Sequence, residues 1–131
     1  MIKVGQAPKR SKVVILGLTF KENCPDTRNS KVNDIIKRLN EYEIEPIIVD
    51  PWASERDAIR EYGVKLTPID KVENADCVII AVAHNEFKAL NLTDIKKLYR
   101  DSKDKEKVLI DVKGIYSVKD LKDSGIDYWR L

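Results

Sequence analysis

Residues 76–82, Asp76-Cys77-Val78-Ile79-Ile80-Ala81-Val82, constrain the fold more than any other stretch. After Asp76 the run is apolar throughout and therefore has no polar face to turn towards water. A short run of this kind suits a strand covered on both sides, in the centre of a parallel sheet. Val13-Val14-Ile15-Leu16 and Val108-Leu109-Ile110-Asp111-Val112 read the same way. Pro46-Ile47-Ile48-Val49 is a further strand, ended by Asp50-Pro51, and residues 126–131 form a last one.

Helical patterns separate these strands. Residues 30–42 place Val32, Ile35, Ile36 and Leu39 on one face, with Asn29 or Ser30 available as cap. Residues 54–62 have Ser54 as N-cap, Glu55 and Asp57 in the first turn and Gly63 as the stop. Residues 93–99, capped by Thr93, and residues 118–123 predict two more helices. Residues 64–67 suit a short strand, 69–74 a helical turn, and the charge run 101–107 a solvated loop. Strands alternating with helices predict an α/β protein. The expected form is a Rossmann-like three-layer sandwich around a mainly parallel, doubly wound sheet with right-handed crossovers.

The chain has 131 residues, enough for one domain with its own core. Residues 12–131 are expected to form it; residues 1–11, polar and basic with Pro8, read as a leader or the remnant of a linker. Charged residues make up 35% of the chain, yet the net charge is only +2, which gives no reason to invoke nucleic acid. No apolar run approaches the ~20 residues of a membrane span, and residues 1–10 lack a secretory apolar segment. Two cysteines, Cys24 and Cys77, make neither a disulfide framework nor a zinc site. The expected compartment is the cytoplasm.

Open α/β sheets bind ligands outside the carboxyl ends of their strands. Three such ends are polar here: residues 19–28, residues 84–86, and Lys113. The first is unusual. A dinucleotide site crosses from first strand to first helix by a short glycine-rich turn. Here the run Gly17-Leu-Thr-Phe-Lys-Glu-Asn-Cys-Pro-Asp-Thr-Arg-Asn-Ser30 is long and holds one glycine. Lys21 and the Asp26/Arg28 pair precede a helix N-terminus, a placement that suits a phosphate.

This loop resembles the one that opens the C-terminal, UDP-binding domain of the UDP-glucose/GDP-mannose dehydrogenase family. The match lies at Gly17, Leu18, Phe20, Lys21, Asn23, Asp26, Arg28 and Ser30. Asn23-Cys24-Pro25-Asp26 is similar to the branch acting on UDP-N-acetylhexosamines. Asp50-Pro51-Trp52, residues 81–87 (Ala-Val-Ala-His-Asn-Glu-Phe) and Asp111-Val112-Lys113-Gly114 extend the likeness to nearly the whole chain from Lys12 onward.

The resemblance implies a substrate-binding domain of an NAD-dependent UDP-sugar 6-dehydrogenase, for UDP-N-acetylglucosamine or UDP-N-acetylgalactosamine. UDP-glucose, GDP-mannose and a free-standing nucleotide-binding module are the alternatives. The whole enzyme oxidises the sugar's 6-hydroxymethyl to a carboxylate in two NAD-dependent steps. NAD is held mainly by an N-terminal domain, and a central domain completes the enzyme, which leaves room for a homo-oligomer. No Gly-x-Gly-x-x-Gly and no catalytic cysteine segment occur in this chain, so it is expected to be a detached domain, inactive alone.

By the same resemblance Lys21 contacts the sugar nucleotide, Phe20 supplies an apolar wall or packs in the core, and Arg28 lies near the cofactor or pairs with Asp26. Lys113 stands where much of the family has arginine, keeping the charge but losing the planar fork. His84, the single histidine, is either a base or a hydrogen-bonded structural residue. Cys24, beside Lys21, is not the family's catalytic cysteine, and Cys77 is expected to be buried and inert.

Overall fold

Successive side chains of a strand point to opposite faces, so an all-apolar strand needs cover on both. A computed structural model describes residues 12–19, 23, 32–101, 103 and 106–130 and meets that requirement. The strands are β1 (Val13–Leu16), β2 (Ile47–Val49), β3 (Cys77–Ile80), β4 (Val108–Asp111) and β5 (Asp127–Arg130). They form one parallel sheet in the order β2-β1-β3-β4-β5. The central register sets Val13 beside Cys77 and Leu16 beside Ile80.

The helices are α1 (Val32–Glu41), α2 (Glu55–Tyr62), α3 (Asn85–Lys88), α4 (Leu92–Lys96) and α5 (Val118–Ser124), with a 3-10 turn at Ile69–Lys71. On one face of the sheet Val14, Leu16, Val78, Ile80 and Leu109 pack with Phe87, Ile95 and Leu121 from α3, α4 and α5. On the other, Val13, Ile15, Cys77, Ile79 and Val108 pack with Val32, Ile36 and Leu39 of α1 and Ala58 of α2. Alternate residues of one strand thus enter opposite cores, which is the three-layer arrangement expected. Burial pushes the Cys77 thiol up to about 12, so it is a core residue and no nucleophile.

Most elements fall where the pattern put them, including the Ser54 cap, which accepts the Asp57 N–H, and the left-handed Gly63 stop. Three differ. The strand expected over 64–67 contracts to a single bridge between Leu66 and Ile48. The helix expected from a Thr93 cap begins earlier, because Asn91 and Asp94 cap each other reciprocally. It also stops at Lys96, since Ala75 draws the following segment into extended pairing through Leu98 O and Arg100 N–H. The short helix α3 was not anticipated; one turn is too brief to show a period. The residue 29–30 cap lies outside the described residues.

The first and third strands leave the sheet side by side, and Gly17 allows it. Its φ is +110°, and an added Cβ would lie 2.5 Å from Val82 Cβ and 2.8 Å from Val82 N. Its own N–H donates to Val49 O at 2.8 Å, tying β1 to β2. Gly17→Ala is therefore expected to destabilise the domain by about 2–4 kcal/mol, combining left-handed strain with a backbone clash. Urea denaturation measures it; a loss below about 0.5 kcal/mol would mean the crossing relaxes freely.

Candidate functional site

All five strands run parallel, so the ends of β1, β2, β3 and β4 open on one edge of the sheet. Asp50 follows β2 directly. It is nearly buried, and a buried carboxylate must find donors. Oδ2 accepts the N–H groups of Leu18 (2.6 Å) and Thr19 (3.1 Å) and lies 3.0 Å from His84 Nε2. Oδ1 accepts the N–H groups of Trp52 (2.7 Å) and Ala53 (3.0 Å). One carboxylate thus shapes its own turn and pins the exits of β1 and β3.

His84 is fully buried. Its Nδ1 accepts the N–H of Asn23 at 2.8 Å, so the ring proton sits on Nε2, where it is donated to Asp50 Oδ2. Thr19 Oγ1 lies 3.1 Å from the same nitrogen. The ring stacks under Trp52, at 6.1 Å between centroids, and against Phe87 at 5.5 Å. Both nitrogens are occupied, and two aromatic rings pack against the imidazole, Trp52 stacked and Phe87 tilted. His84 is accordingly the structural histidine of the two readings, and not a base.

Asn23 completes the latch. At φ +54° its N–H reaches His84, while its Oδ1 accepts the Asn85 N–H at 2.9 Å. Trp52 Nε1 donates to Glu86 Oε1 at 2.8 Å, joining the β2 and β3 exits again at the surface. Parts of three motifs that are separate in sequence therefore interlock: Leu18, Thr19 and Asn23 of the first, Asp50 and Trp52 of the second, and His84, Asn85 and Glu86 of the third. Sequence reasoning singled out the strand ends but assigned no role to Asp50, Asn23 or Thr19. An acid directly after an apolar strand was the available signal.

The fourth motif repeats the device. Asp111, fully buried at the end of β4, accepts the N–H groups of Ile115 (3.1 Å) and Tyr116 (3.0 Å). This folds the turn that presents Lys113, which lies exposed at the strand-end edge. Phe20, Lys21, Asp26, Arg28 and Cys24 lie outside the described residues. Of the same loop, Thr19 and Asn23 are described, and they bond to His84 and Asn85.

A cleft of about 540 Å³ opens beside β2, floored by Leu66, Pro68, Phe87 and Leu90 and edged by Glu55 and Asp70. Its position matches the nucleoside side of a dinucleotide fold, where an acid after the second strand reads ribose hydroxyls. Asp50 holds that place, but both its oxygens are filled by protein donors. Gly17 faces Val82, leaving no close backbone approach for a pyrophosphate. The described residues do not fit NAD at that site. Among the described residues no group of three or more His, Cys, Asp or Glu side chains is placed to hold a metal ion, and no helix is long and apolar enough to cross a membrane.

Comparison with known proteins places this edge in context. Residues 14–118 match the UDP binding domain of the UDP-glucose/GDP-mannose dehydrogenase family. The chain is 47% identical over 105 residues to a UDP-N-acetyl-D-glucosamine 6-dehydrogenase of Pseudomonas aeruginosa, covering 79% of this chain and 24% of the relative. It is 43% identical over 115 residues to the enzyme of the same name from Salmonella typhi, covering 86% and 26%. The structure of a UDP-D-ManNAc dehydrogenase from Pyrococcus horikoshii superposes with a TM-score of 0.73 at 25% identity, over 98% of this chain and 27% of that one. The chain thus spans about a quarter of the length of the relatives it matches.

Burial pushes the Asp50 carboxyl up, but the His84 hydrogen bond and the Leu18 and Trp52 N–H groups outweigh it and hold it below its ordinary value of 3.8. A depressed carboxyl contributes stability in full above its unfolded pKa and loses it as pH falls through the folded one. Asp50→Asn is expected to cost about 2–4 kcal/mol at neutral pH. The variant should also lose stability less steeply than the parent below about pH 4. Urea midpoints from pH 7 to pH 2 check both, and parallel acid limbs would exclude Asp50 as the titrating group.

Proposed function

We propose, on the premise that this chain belongs to the UDP-glucose/GDP-mannose dehydrogenase family through its UDP binding domain, that it holds the UDP moiety of a nucleotide sugar for an NAD-dependent 6-dehydrogenase. The sugar proposed is a UDP-N-acetylhexosamine. The P. aeruginosa and S. typhi relatives, each named a UDP-N-acetyl-D-glucosamine 6-dehydrogenase, support that choice, as does Asn23-Cys24-Pro25-Asp26.

The observation that carries the reading is the convergence of the β1, β3 and β4 exits on one edge, where Thr19 and Asn23 are both hydrogen-bonded to His84. Lys21 and Lys113 supply positive charge for the diphosphate, Phe20 an apolar wall, and Arg28 a contact towards the cofactor. NAD belongs to a separate N-terminal domain of the longer enzyme, consistent with the poor fit of NAD to the β1–β2 exit. This domain forms one wall of the active site, and the chemistry is performed between it and the others.

Two outcomes are expected. The 131-residue chain alone produces no NADH from NAD and any UDP-sugar; NADH above background in a contaminant-free preparation would contradict the division of labour. In the enzyme carrying all its domains, Lys21→Ala removes one charge-assisted contact, worth about 1.5–3 kcal/mol. The KM for UDP-N-acetylglucosamine should rise roughly tenfold to more than a hundredfold, with little change in the KM for NAD. Unchanged substrate kinetics would reduce Lys21 to a solvated loop residue.

A further inference from the structure

We propose that Arg130 is a nucleotide-binding residue, forming with Lys113 and Gly114 a subsite for the diphosphate. This deepens the reading above and rests on it. Arg130 closes β5 and is the register partner of Asp111, so it stands directly beside the turn that presents Lys113. Its Nε donates to Tyr116 O at 3.0 Å. Its guanidinium lies over Gly114, where an added Cβ would sit 3.1 Å from Nη2 and 3.2 Å from Cζ. Gly114, at φ +65°, is a glycine because the turn needs the left-handed conformation, and an added Cβ would also press on the guanidinium.

The guanidinium is oriented, and among the described residues no ion pair neutralises it. The neighbouring acid, Asp111, is fully buried and turned onto the N–H groups of Ile115 and Tyr116. The hydrogen bond to Tyr116 O occupies Nε and leaves the two terminal amino groups as donors. Arg130 and Lys113 are both exposed, at the ends of adjacent strands on the ligand edge. A planar fork held in place and next to a second cation is suited to two oxygens of a phosphate group. Because the Tyr116 bond already fixes its plane, less side-chain freedom is lost on binding. Lys113 alone has no fork; Arg130 supplies one from the next strand.

The test titrates the 131-residue chain with UDP, uridine and glucuronate at millimolar concentration, following amide NMR signals. Parent, Arg130→Gln and Arg130→Lys are compared. UDP affinity should fall about tenfold in Arg130→Gln and recover only in part in Arg130→Lys, with uridine affinity unchanged in both. Equal weakening of UDP and uridine would make Arg130 a merely structural residue and overturn the proposal. Unchanged UDP affinity would overturn it too, and so would a loss confined to glucuronate, which would assign the fork to a carboxylate. Failure of the parent to bind either UDP or uridine would instead overturn the nucleotide-binding reading itself, and the Arg130 proposal with it.

Discussion

The carboxylate of Asp50 is the point on which the ligand edge depends. Placed in an apolar interior, it is tolerable only when its oxygens are filled. The donors come from its own turn, from the β1 exit 31 and 32 residues away and from His84, 34 residues away. Satisfying one buried charge therefore fixes the relative positions of three chain segments. His84 passes that constraint onward: its Nε2 proton is committed to Asp50, and this leaves Nδ1 free to accept from Asn23. A histidine and an aspartate in contact at a strand end resemble part of a catalytic relay, yet here the third member is a backbone N–H and the purpose is placement.

Asp111 does for one turn what Asp50 does for three segments. In both cases an acid that follows an apolar strand turns inward onto backbone donors. The consequence is electrostatic as well as geometric. With Asp111 facing inward, Lys113 and Arg130 stand at the edge without a carboxylate beside them among the described ion pairs. The opposite edge is built differently. There Asp76 takes a bidentate pair from Arg100 and the Lys12 N–H, closing the N-terminal end of β3 with its charges matched. Among the described residues, charges are thus matched at the N-terminal end of β3, while Lys113 and Arg130 have no carboxylate partner at the opposite edge.

The parts of this fold that were legible in sequence were those with a strong local signal. The apolar runs of β1, β3 and β4 specified a buried parallel sheet because no other element hides both faces of so short a segment. Ser54 and Gly63 bounded α2 because cap chemistry is local. What escaped was set by partners distant in sequence. α4 ends early because Ala75 captures the segment after it, and the bridge at Leu66 depends on Ile48. The site divides in the same way. Lys113 was legible as an exposed strand-end cation. The roles of Asp50, Asn23 and Thr19 were not, because each is defined by the other two and by His84. Arg130 escaped because nothing in the last strand separates an edge cation from one that lies over the glycine of another turn.

Charge is unevenly distributed along the ligand edge, and this limits how an elongated anion can lie. The apolar cleft beside β2 is lined by Glu55, Asp70 and Glu86, so a diphosphate placed there would meet like charge. Glu86 is also tied to Trp52, which closes that side over His84. Lys113 and Arg130 lie at the other end, beyond β3. On the reading proposed above, a nucleotide sugar would meet cations at Lys113 and Arg130 on the β4–β5 side and like charge at the cleft beside β2. The acid that would read a ribose is turned inward and builds the loops instead.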